Sequence, residues 1–489
     1  MSSQSQDSGV LAPRDVAARA VLLVTVGAAF LSSLDLFVVN VAFEAIGRDL
    51  DVGTPGGPTA GDLSWVLNAY AVVFAALLIP FGRLADRYGR KRMFILGVAL
   101  FTLASAACAA AGDVWLLVGF RALQAVGAAA MTPTSLGILL ATLPAERRLV
   151  AVRIWAAVGA VAAAIGPTVG GVLTELSWRW VFLINVPVGV AIIVAALRVV
   201  RDEPVDADAR TPDLLGAGLI AAAAGLLALG LVRSEDWGWA DARTAAALAA
   251  SALAGALFAR RSAHHPAPVV DPALMRVRTY RWALASMFLF NVSFAINLLV
   301  GVLWLQQVWG YGVMRTGLAV AVGPMLVPIT AALAQRFLTS VSPSRLVTTG
   351  SIVVGLSCTL AALRMGTDPA YATDYLPAWV LGGIGVGFAL PNLMAGATHD
   401  LPPTMAATGS GVVTMARQLG FVVGVSILFA LLGDAVGTAA LTDFRTAWWV
   451  AAAVLLTASV TATGMRARTT APATTTGPAT GVPGNPAQT

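Results

Sequence analysis

Hydrophobic runs of about 18 to 24 residues recur along nearly the whole chain, and short polar segments separate them. Each run is long enough to cross the roughly 30 Å hydrocarbon layer of a membrane as an α-helix. Transmembrane strands would be about ten residues long and would alternate in polarity. The pattern therefore predicts an all-α polytopic membrane protein. Its fourteen spans are expected at approximately 20–42, 63–82, 93–111, 114–142, 154–174, 181–198, 213–232, 243–259, 282–305, 316–335, 346–363, 376–395, 405–432 and 446–464.

The longest internal polar segments, 199–212 and 260–281, divide the predicted spans into groups of six, two and six. The fourth spans of the two larger groups share a spacing of Leu, Gly and Pro, found at Leu123, Gly127, Pro133 and again at Leu381, Gly385, Pro391. Such a duplication is typical of transporters with alternating access around a central site. The predicted units are an N-terminal segment 1–19, a six-helix bundle 20–200, a two-helix insert with linkers 201–265, a second six-helix bundle 266–466 and a disordered tail 467–489.

Composition and charge agree with a membrane protein. Of the 489 residues, 58% are hydrophobic and 11% are charged, and the mean hydropathy is +0.80. If the N-terminus is cytoplasmic, 22 of the 31 Lys and Arg residues fall in cytoplasmic segments and 7 in external ones. This bias predicts cytoplasmic termini. The net charge of +6 therefore reports orientation and requires no nucleic-acid partner.

The sequence offers little for cofactor or metal chemistry. Cys108 and Cys358 both fall inside predicted spans, where a structural disulfide is not expected. His264 and His265 lie in a polar loop without neighbouring Cys or a carboxylate cluster, as solvated loop residues do. No nucleotide-binding Gly-Lys loop, metal-ligand cluster or nucleophile elbow occurs in the sequence. We therefore predict neither a metal nor a cofactor.

A polar loop, "GRLADRYGRKR" from Gly82 to Arg92, separates spans two and three. Its five cations can serve as a positive-inside anchor, but an anchor gains nothing from Asp86. The carboxylate could cap the following helix, pair with a neighbouring arginine, or form a latch that closes in one transport state. Gly82 and Gly89 permit a tight turn and a close helix approach.

This loop resembles the signature loop between the second and third helices of the major facilitator superfamily. The residues that match its pattern are Gly82, Leu84, Asp86, Arg87, Gly89 and Arg90. In that family the loop is taken to stabilise one alternating-access state, so the resemblance implies a gating role. The equivalent segment of the second half, "AQRFLTSVSPSR", has no aspartate, and any latch is one-sided.

Small residues mark span five, which contains "GAVAAAIGPTVGG". One helical face carries Gly159, Ala163, Gly166 and Gly170, and Pro167 removes a backbone donor, a pattern that predicts close helix packing. The string also resembles the antiporter motif of the superfamily, with matches at Gly166, Pro167, Gly170 and Gly171. The resemblance implies that these residues take part in the conformational change.

Three further strings resemble one branch of the superfamily. "WRWVFLINVPVG", from Trp178, is typical of an interfacial aromatic belt and is similar to the fourteen-span drug:proton antiporters of the EmrB/QacA branch. "LDLFVVNVAF" resembles that branch's first-helix motif with Asp35 and Asn40 in place, although Phe43 and Glu44 stand where leucine and proline are usual. "RALQAVG" in span four resembles the Arg-x-x-Gln-x-x-Gly motif of the family.

Asp35 and Arg121 are ionisable residues within predicted spans. Such a charge costs at least about 2.5 to 3.5 kcal/mol in hydrocarbon, so both side chains are expected to face the protein interior. Counted from the same membrane face at about 1.5 Å per residue, both lie roughly 10 to 12 Å deep and could meet. Asp35 would then carry the coupling proton while Arg121 tunes its affinity. The alternative is a static ion pair that fixes the first bundle.

Taken with the resemblance, these features imply a proton-coupled antiporter of the bacterial inner membrane. It would act as a monomer and export amphipathic, often cationic or aromatic small molecules, without a cofactor. Residues expected to line its substrate cavity are Asn40, Gln124, Asn291, Asn297, Trp304 and, near mid-membrane in "ARQLG", Arg417. One alternative is a dedicated exporter of a single endogenous metabolite or antibiotic. Another is a membrane-embedded enzyme, which should show a cluster of His, Asp or Glu at one depth.

Overall fold

The computed structural model describes residues 13–54, 57–201, 212–338, 340–401, 403–433 and 441–465. These residues form helices and no strands. The helices are α1 Pro13–Asp49, α2 Ala60–Tyr88, α3 Arg90–Ala109, α4 Val114–Thr142, α5 Ala145–Leu176, α6 Trp180–Leu183, α7 Asn185–Val199, α8 Leu214–Val232, α9 Ser234–Trp237, α10 Ala242–His264, α11 Arg278–Leu303, α12 Val313–Phe337, α13 Pro343–Arg364, α14 Leu376–Thr398, α15 Pro403–Leu432 and α16 Leu441–Thr463. The tail predicted at 467–489 lies outside the described residues.

The predicted all-α membrane fold is confirmed. Thirteen helical segments among the described residues are long and apolar enough to cross a membrane, and α5 covers the remaining predicted span. Several helices run past the predicted ends, as α1 does by continuing to Asp49. Polar residues beyond a hydrophobic run can continue the helix, so hydropathy marks the membrane-crossing part and not the helix end.

Side-chain caps begin several of these helices. The Thr59 hydroxyl accepts from the Asp62 backbone N–H at 3.1 Å, while the Asp62 carboxylate accepts from the Thr59 backbone N–H at 2.9 Å. Asp113 accepts from the backbone N–H of Leu116 at the start of α4. These bonds satisfy backbone donors that the first helical turn leaves without an intrahelical partner.

Three of the described membrane-crossing segments depart from regular geometry. One is a π-turn at Tyr371–Tyr375 that leads into α14. Span six is divided into α6 and α7 at Ile184, within the string that contains Asn185 and Pro187. The chain from Trp304 to Val308 extends α11 as a π-turn. Insertions of this kind re-aim side chains at the end of a helix and are frequent at functional sites.

The helices pack as two bundles with a hairpin beside them. The first bundle comprises α1 to α7 and the second comprises α11 to α16. They meet along two seams, formed by α2 with α15 and by α5 with α12. Helix α8 packs against both α2 and α15, and α10 packs on α8. An ion pair between Asp62 and Arg233 ties the start of α2 to the end of α8.

Hydrogen bonds between described residues join the bundles near one end of the molecule. We call this the Asp49 end, after the loop that joins α1 to α2, and the opposite one the Asp86 end, after the loop that joins α2 to α3. Between described residues, the hydrogen bonds that link the bundles are Met314 N to Glu175 Oε1 at 3.3 Å, Gln306 Nε2 to Val41 O at 3.1 Å and Asn68 Nδ2 to Ser426 Oγ at 3.3 Å. All three lie in the half of the molecule near the Asp49 end. Phe43 and Phe429 also meet there, with ring centroids 5.4 Å apart.

Candidate functional site

A buried ion pair lies at the centre of the first bundle. Asp35 comes from α1 and Arg121 from α4, and both side chains are 0% exposed. The Nη1 atom of Arg121 lies 2.6 Å from Oδ2 of Asp35. The structure therefore brings together the two membrane-embedded charges that the sequence placed at one depth.

Two side-chain amides complete the environment of Asp35. Gln124 donates from Nε2 to Oδ1 of Asp35 at 2.9 Å, and Asn185 donates from Nδ2 to the same oxygen at 2.9 Å. Ser105 Oγ in turn accepts from Gln124 Nε2 at 2.6 Å. Three donors thus converge on one carboxyl group, which is the arrangement expected for an ionised carboxylate because that form only accepts.

Arg121 is held by groups from α2 as well. Its Nε donates to the carbonyl oxygen of Val66 at 3.1 Å, and its Cζ lies 4.2 Å from the centroid of the Tyr70 ring. Its Nη1 also donates to Oε1 of Gln124 at 2.6 Å. Within the described residues, Nη2 has no hydrogen-bond acceptor. The guanidinium therefore keeps one donor group available for a water molecule or for another acceptor.

Sequence reasoning missed Asn185 and Ser105. Asn185 stands in the string that was interpreted as an aromatic belt and as a resemblance to the antiporter branch, with no role given to its own side chain. A usable signal was its amide within an apolar run, two residues before Pro187. Its side chain is fully buried, and it reaches Asp35 because the break between α6 and α7 lies at this height.

The predicted substrate-cavity residues fall in several places. Gln124 belongs to the Asp35 network. Asn40 and Asn291 are buried and donate to carbonyl oxygens of their own helices, at 2.8 Å to Leu36 and 2.8 Å to Met287. Their amide groups are thus partly engaged by the backbone, although Oδ1 of Asn40 remains without a described partner.

Asn297 and Trp304 lie inside the second bundle. Asn297 lines a small cavity together with Ser357, Tyr375 and Trp379. The Trp304 ring is fully buried and packs against Phe444 and Trp448 of α16, with centroid distances of 5.6 and 5.2 Å. The Trp304 side chain therefore points between α11 and α16 and not between the two bundles.

Arg417 stands near the middle of α15. Protein surrounds it closely, yet part of the side chain remains accessible to water. None of the residues that the structure describes forms a hydrogen bond, an ion pair or a ring contact with its guanidinium. It is thus a cation in the membrane-crossing region without a protein counter-charge.

In the predicted gating loop, Asp86 forms an ion pair within the first bundle. Oδ1 of Asp86 lies 3.0 Å from Nη2 of Arg90, and the side chains are 50% and 35% exposed. Gly89 joins α2 to α3 with φ +96°, a conformation that favours glycine. The Arg87 guanidinium lies 5.7 Å from the Tyr88 ring, and Gly82 faces Pro133 of α4. Asp86 therefore forms its ion pair locally and not across a seam.

The glycines of α5 face two different helices. A Cβ atom on Gly166 would lie 2.7 Å from Cβ of Phe37, and one on Gly170 would lie 2.8 Å from the carbonyl oxygen of Val38. Both of these neighbours belong to α1.

The other two predicted residues of α5 face the second bundle. A Cβ on Gly171 would lie 3.0 Å from Cα of Met314, and one on Gly317 would overlap the carbonyl oxygen of Pro167. Small residues let α5 contact both helices closely. α5 therefore links α1, which carries Asp35, to the second bundle.

Comparison with solved structures shows the same fold. A peptide transporter, POT, in complex with sulfate matches with a TM-score of 0.68 and 14% sequence identity, over 92% of this chain and 97% of that chain. At this identity the likeness concerns the fold alone.

The chain also matches known protein sequences. The tetracenomycin C resistance and export protein of Streptomyces glaucescens is 33% identical over 425 residues, which is 85% of this chain and 76% of that protein. The multidrug resistance protein Stp of Mycobacterium tuberculosis strain CDC 1551 / Oshkosh is 32% identical, over 82% of this chain and 74% of that protein. The probable actinorhodin transporter of Streptomyces coelicolor is 31% identical, over 85% of this chain and 73% of that protein. The family model for the Major Facilitator Superfamily matches residues 25–425. The chain belongs to the Major Facilitator Superfamily, and its relatives are consistent with the EmrB/QacA branch of drug and antibiotic exporters.

Proposed function

We propose that this protein is a secondary antiporter that exports drugs, antibiotics or similar amphipathic compounds in exchange for protons across a bacterial plasma membrane. The observation that carries the proposal is the buried Asp35 with three donors on its carboxylate. The similarity to exporters of tetracenomycin C and to a multidrug resistance protein supports the export of small molecules.

Protonation of Asp35 would change this network at one bond above all. In the ionised form Oδ2 accepts from Arg121. If a proton binds to Oδ2, that atom becomes a donor that faces the Arg121 N–H, and the attraction between the two charges is lost. Arg121 would then turn toward another acceptor or toward water through Nη2. The network therefore supports two arrangements that proton binding selects.

Helix packing offers a path from this site to the seam. Phe37 and Val38 follow Asp35 on α1 and contact Gly166 and Gly170 of α5. α5 contacts α12 through Pro167 and Gly171. A displacement of α1 on protonation would therefore move α5 against the second bundle. With cytoplasmic termini, the Asp49 end faces outward.

Replacement of Asp35 by Asn tests the coupling role, because it keeps the shape and removes the titrating group. In everted vesicles, tetracenomycin C and actinorhodin would be added separately while proton release is followed with a pH-sensitive dye. We expect compound-dependent proton release by the wild type and none by Asp35→Asn at equal amounts of inserted protein. Asp368→Asn, at an exposed loop position, is the matched control. Normal proton exchange by Asp35→Asn would show that the buried pair is a static structural element.

A dedicated exporter of one endogenous compound is the second candidate. It is favoured by relatives named for single compounds, tetracenomycin C and actinorhodin. A panel of toxic compounds tested in a pump-deficient host separates the two. A multidrug exporter raises tolerance to several unrelated compounds, and a dedicated exporter raises it to one chemical series.

A further inference from the structure

We infer that Arg417 binds an acidic group of the exported compound, so that the substrates are amphipathic acids that carry a carboxylate or an acidic phenol. This inference rests on the proposed export function and names the substrate class for it. At about 1.5 Å per residue, Arg417 lies roughly 20 Å from either end of α15. That depth is within the hydrocarbon layer and not at the level of lipid headgroups.

The absence of a counter-charge at Arg417 contrasts with the rest of the protein. The fully buried charged residues among the described ones are Asp35, Asp62, Arg121 and Asp213. Each of them has an ionic partner, since Asp35 pairs with Arg121, Asp62 with Arg233 and Asp213 with Arg261. Arg417, which is only partly accessible, forms no ion pair with a described residue. The counter-charge of Arg417 is therefore supplied by a molecule that binds reversibly.

The face of α15 that carries Arg417 points toward the protein interior. Residues at helical spacing from Arg417 toward the Asp49 end are Phe421, Val425 and Leu428. All three are buried, at 5%, 0% and 0% exposure. A lipid-facing stripe would leave them uncovered by protein. Leu419 and Val423, which are partly exposed, lie on another side of the helix.

Toward the Asp86 end the same face becomes accessible. Ser410 and Thr414 precede Arg417 at helical spacing and are both partly exposed, while the intervening Val412 and Val413 are buried. Arg417 therefore lies where an interior surface changes from closed to open. In the proposed orientation a compound reaches it from the cytoplasm.

The membrane-crossing helices of the second bundle place no carboxylate at the depth of Arg417. Helices α11, α12, α13, α14 and α15 contain no Asp or Glu, and the acidic residue of α16, Asp443, lies in its first turn at the Asp49 end. In the first bundle the Asp35 carboxylate already accepts from Arg121 and from two amides. A guanidinium in such a setting favours planar oxyanions, which it can bind through two parallel N–H bonds. It also disfavours cations, because no acidic side chain offsets the repulsion.

A matched pair of fluorescent probes tests the inference. 1-Pyrenebutyrate and 1-pyrenebutanol share the polycyclic apolar group and differ in charge, and their binding to the purified full chain is measured by energy transfer from tryptophan at neutral pH. We expect the wild type to bind the carboxylate at least about tenfold more tightly than the alcohol. Arg417→Gln should bind both within about twofold, and Arg417→Lys should keep part of the preference.

Arg315→Gln is the control, because Arg315 is exposed at the start of α12 and its loss changes the net charge equally. Equal binding of the two probes by the wild type, or no binding of pyrenebutyrate, would overturn the inference, as would an unchanged preference in Arg417→Gln. Binding requires no proton gradient, so the outcome is independent of antiport. If the protein exports compounds but does not bind pyrenebutyrate in preference to pyrenebutanol, only this inference fails. If it shows that binding preference but exports no compound, only the proposed function fails.

Discussion

A methyl group at Gly171 should push the two bundles apart at the Asp49 end. Its Cβ would lie 3.0 Å from Cα of Met314 and 3.0 Å from the carbonyl oxygen of Val313, where ordinary contacts are 3.4 to 4 Å. Both neighbours are backbone atoms of α12, so relief requires α5 and α12 to separate by about 0.4 to 1 Å. Overpacking of this kind costs about 1 to 3 kcal/mol. The cost falls on the joined state and vanishes when the seam opens.

Gly171→Ala should therefore raise the population of the state that is open at the Asp49 end by about 5- to 150-fold. A cysteine at Ser426, which is fully buried beside Asn68 of the other bundle, reports that opening. The native thiols Cys108 and Cys358, both buried, are replaced by Ala. Labelling with a membrane-impermeant maleimide in whole cells then measures access from outside.

Gly225→Ala is the matched control, because a Cβ there meets no atom within 4 Å. The Gly225→Ala variant should be labelled at Ser426→Cys at the same rate as the protein that keeps both glycines. If Gly171→Ala labels no faster than Gly225→Ala, the contact of α5 with α12 does not hold the joined state, and the seam argument fails.

Three further outcomes follow from the structure. If Asp86 is a state-specific latch, Asp86→Asn should cut transport strongly while the amount of inserted protein stays normal. Immunoblots measure the protein and transport assays measure the activity, and a parallel loss of both would indicate an anchor or a cap instead. Asn185→Leu removes a hydrogen bond to a charged acceptor, a contact worth about 1.5 to 3 kcal/mol, and should impair compound-dependent proton exchange in vesicles. Normal exchange would place Asn185 outside the coupling network. The hydrogen bond between His399 and Asp400 lowers the pKa of Asp400, so Asp400 stabilises the fold above its unfolded-state pKa and loses that effect as the pH falls. Asp400→Asn should slightly lower the Tm at pH 7 but not in acid, and equal Tm losses at both pH values would contradict this.

The sequence determined the helices more firmly than their ends and breaks. Hydropathy located each span because the membrane requires an uninterrupted apolar helix. It did not register the division at Ile184 or the π-turn that begins at Trp304, because both keep the chain apolar. These are the places where side-chain direction changes, and Asn185 and Trp304 were interpreted least well.

Depth in the membrane was predictable, and rotation about a helix axis was not. Asp35 and Arg121 meet, as we predicted by counting residues along each helix from one membrane face. Trp304 was expected at the substrate cavity, but the Phe444 and Trp448 rings of α16 form its surroundings. The partners of an apolar aromatic side chain depend on which neighbouring helix offers a complementary surface, and a single sequence does not specify that neighbour.

The position of α8 gives the two lateral faces of the protein unequal contact with lipid. Helix α8 packs over the line where α2 meets α15, and the Asp62 and Arg233 ion pair fastens it there. None of the described helices covers the line between α5 and α12 in the same way. Helix α8 therefore separates lipid from the α2–α15 seam, whereas lipid can contact the close-packed α5–α12 seam directly. The two seams move in different surroundings when the bundles rearrange.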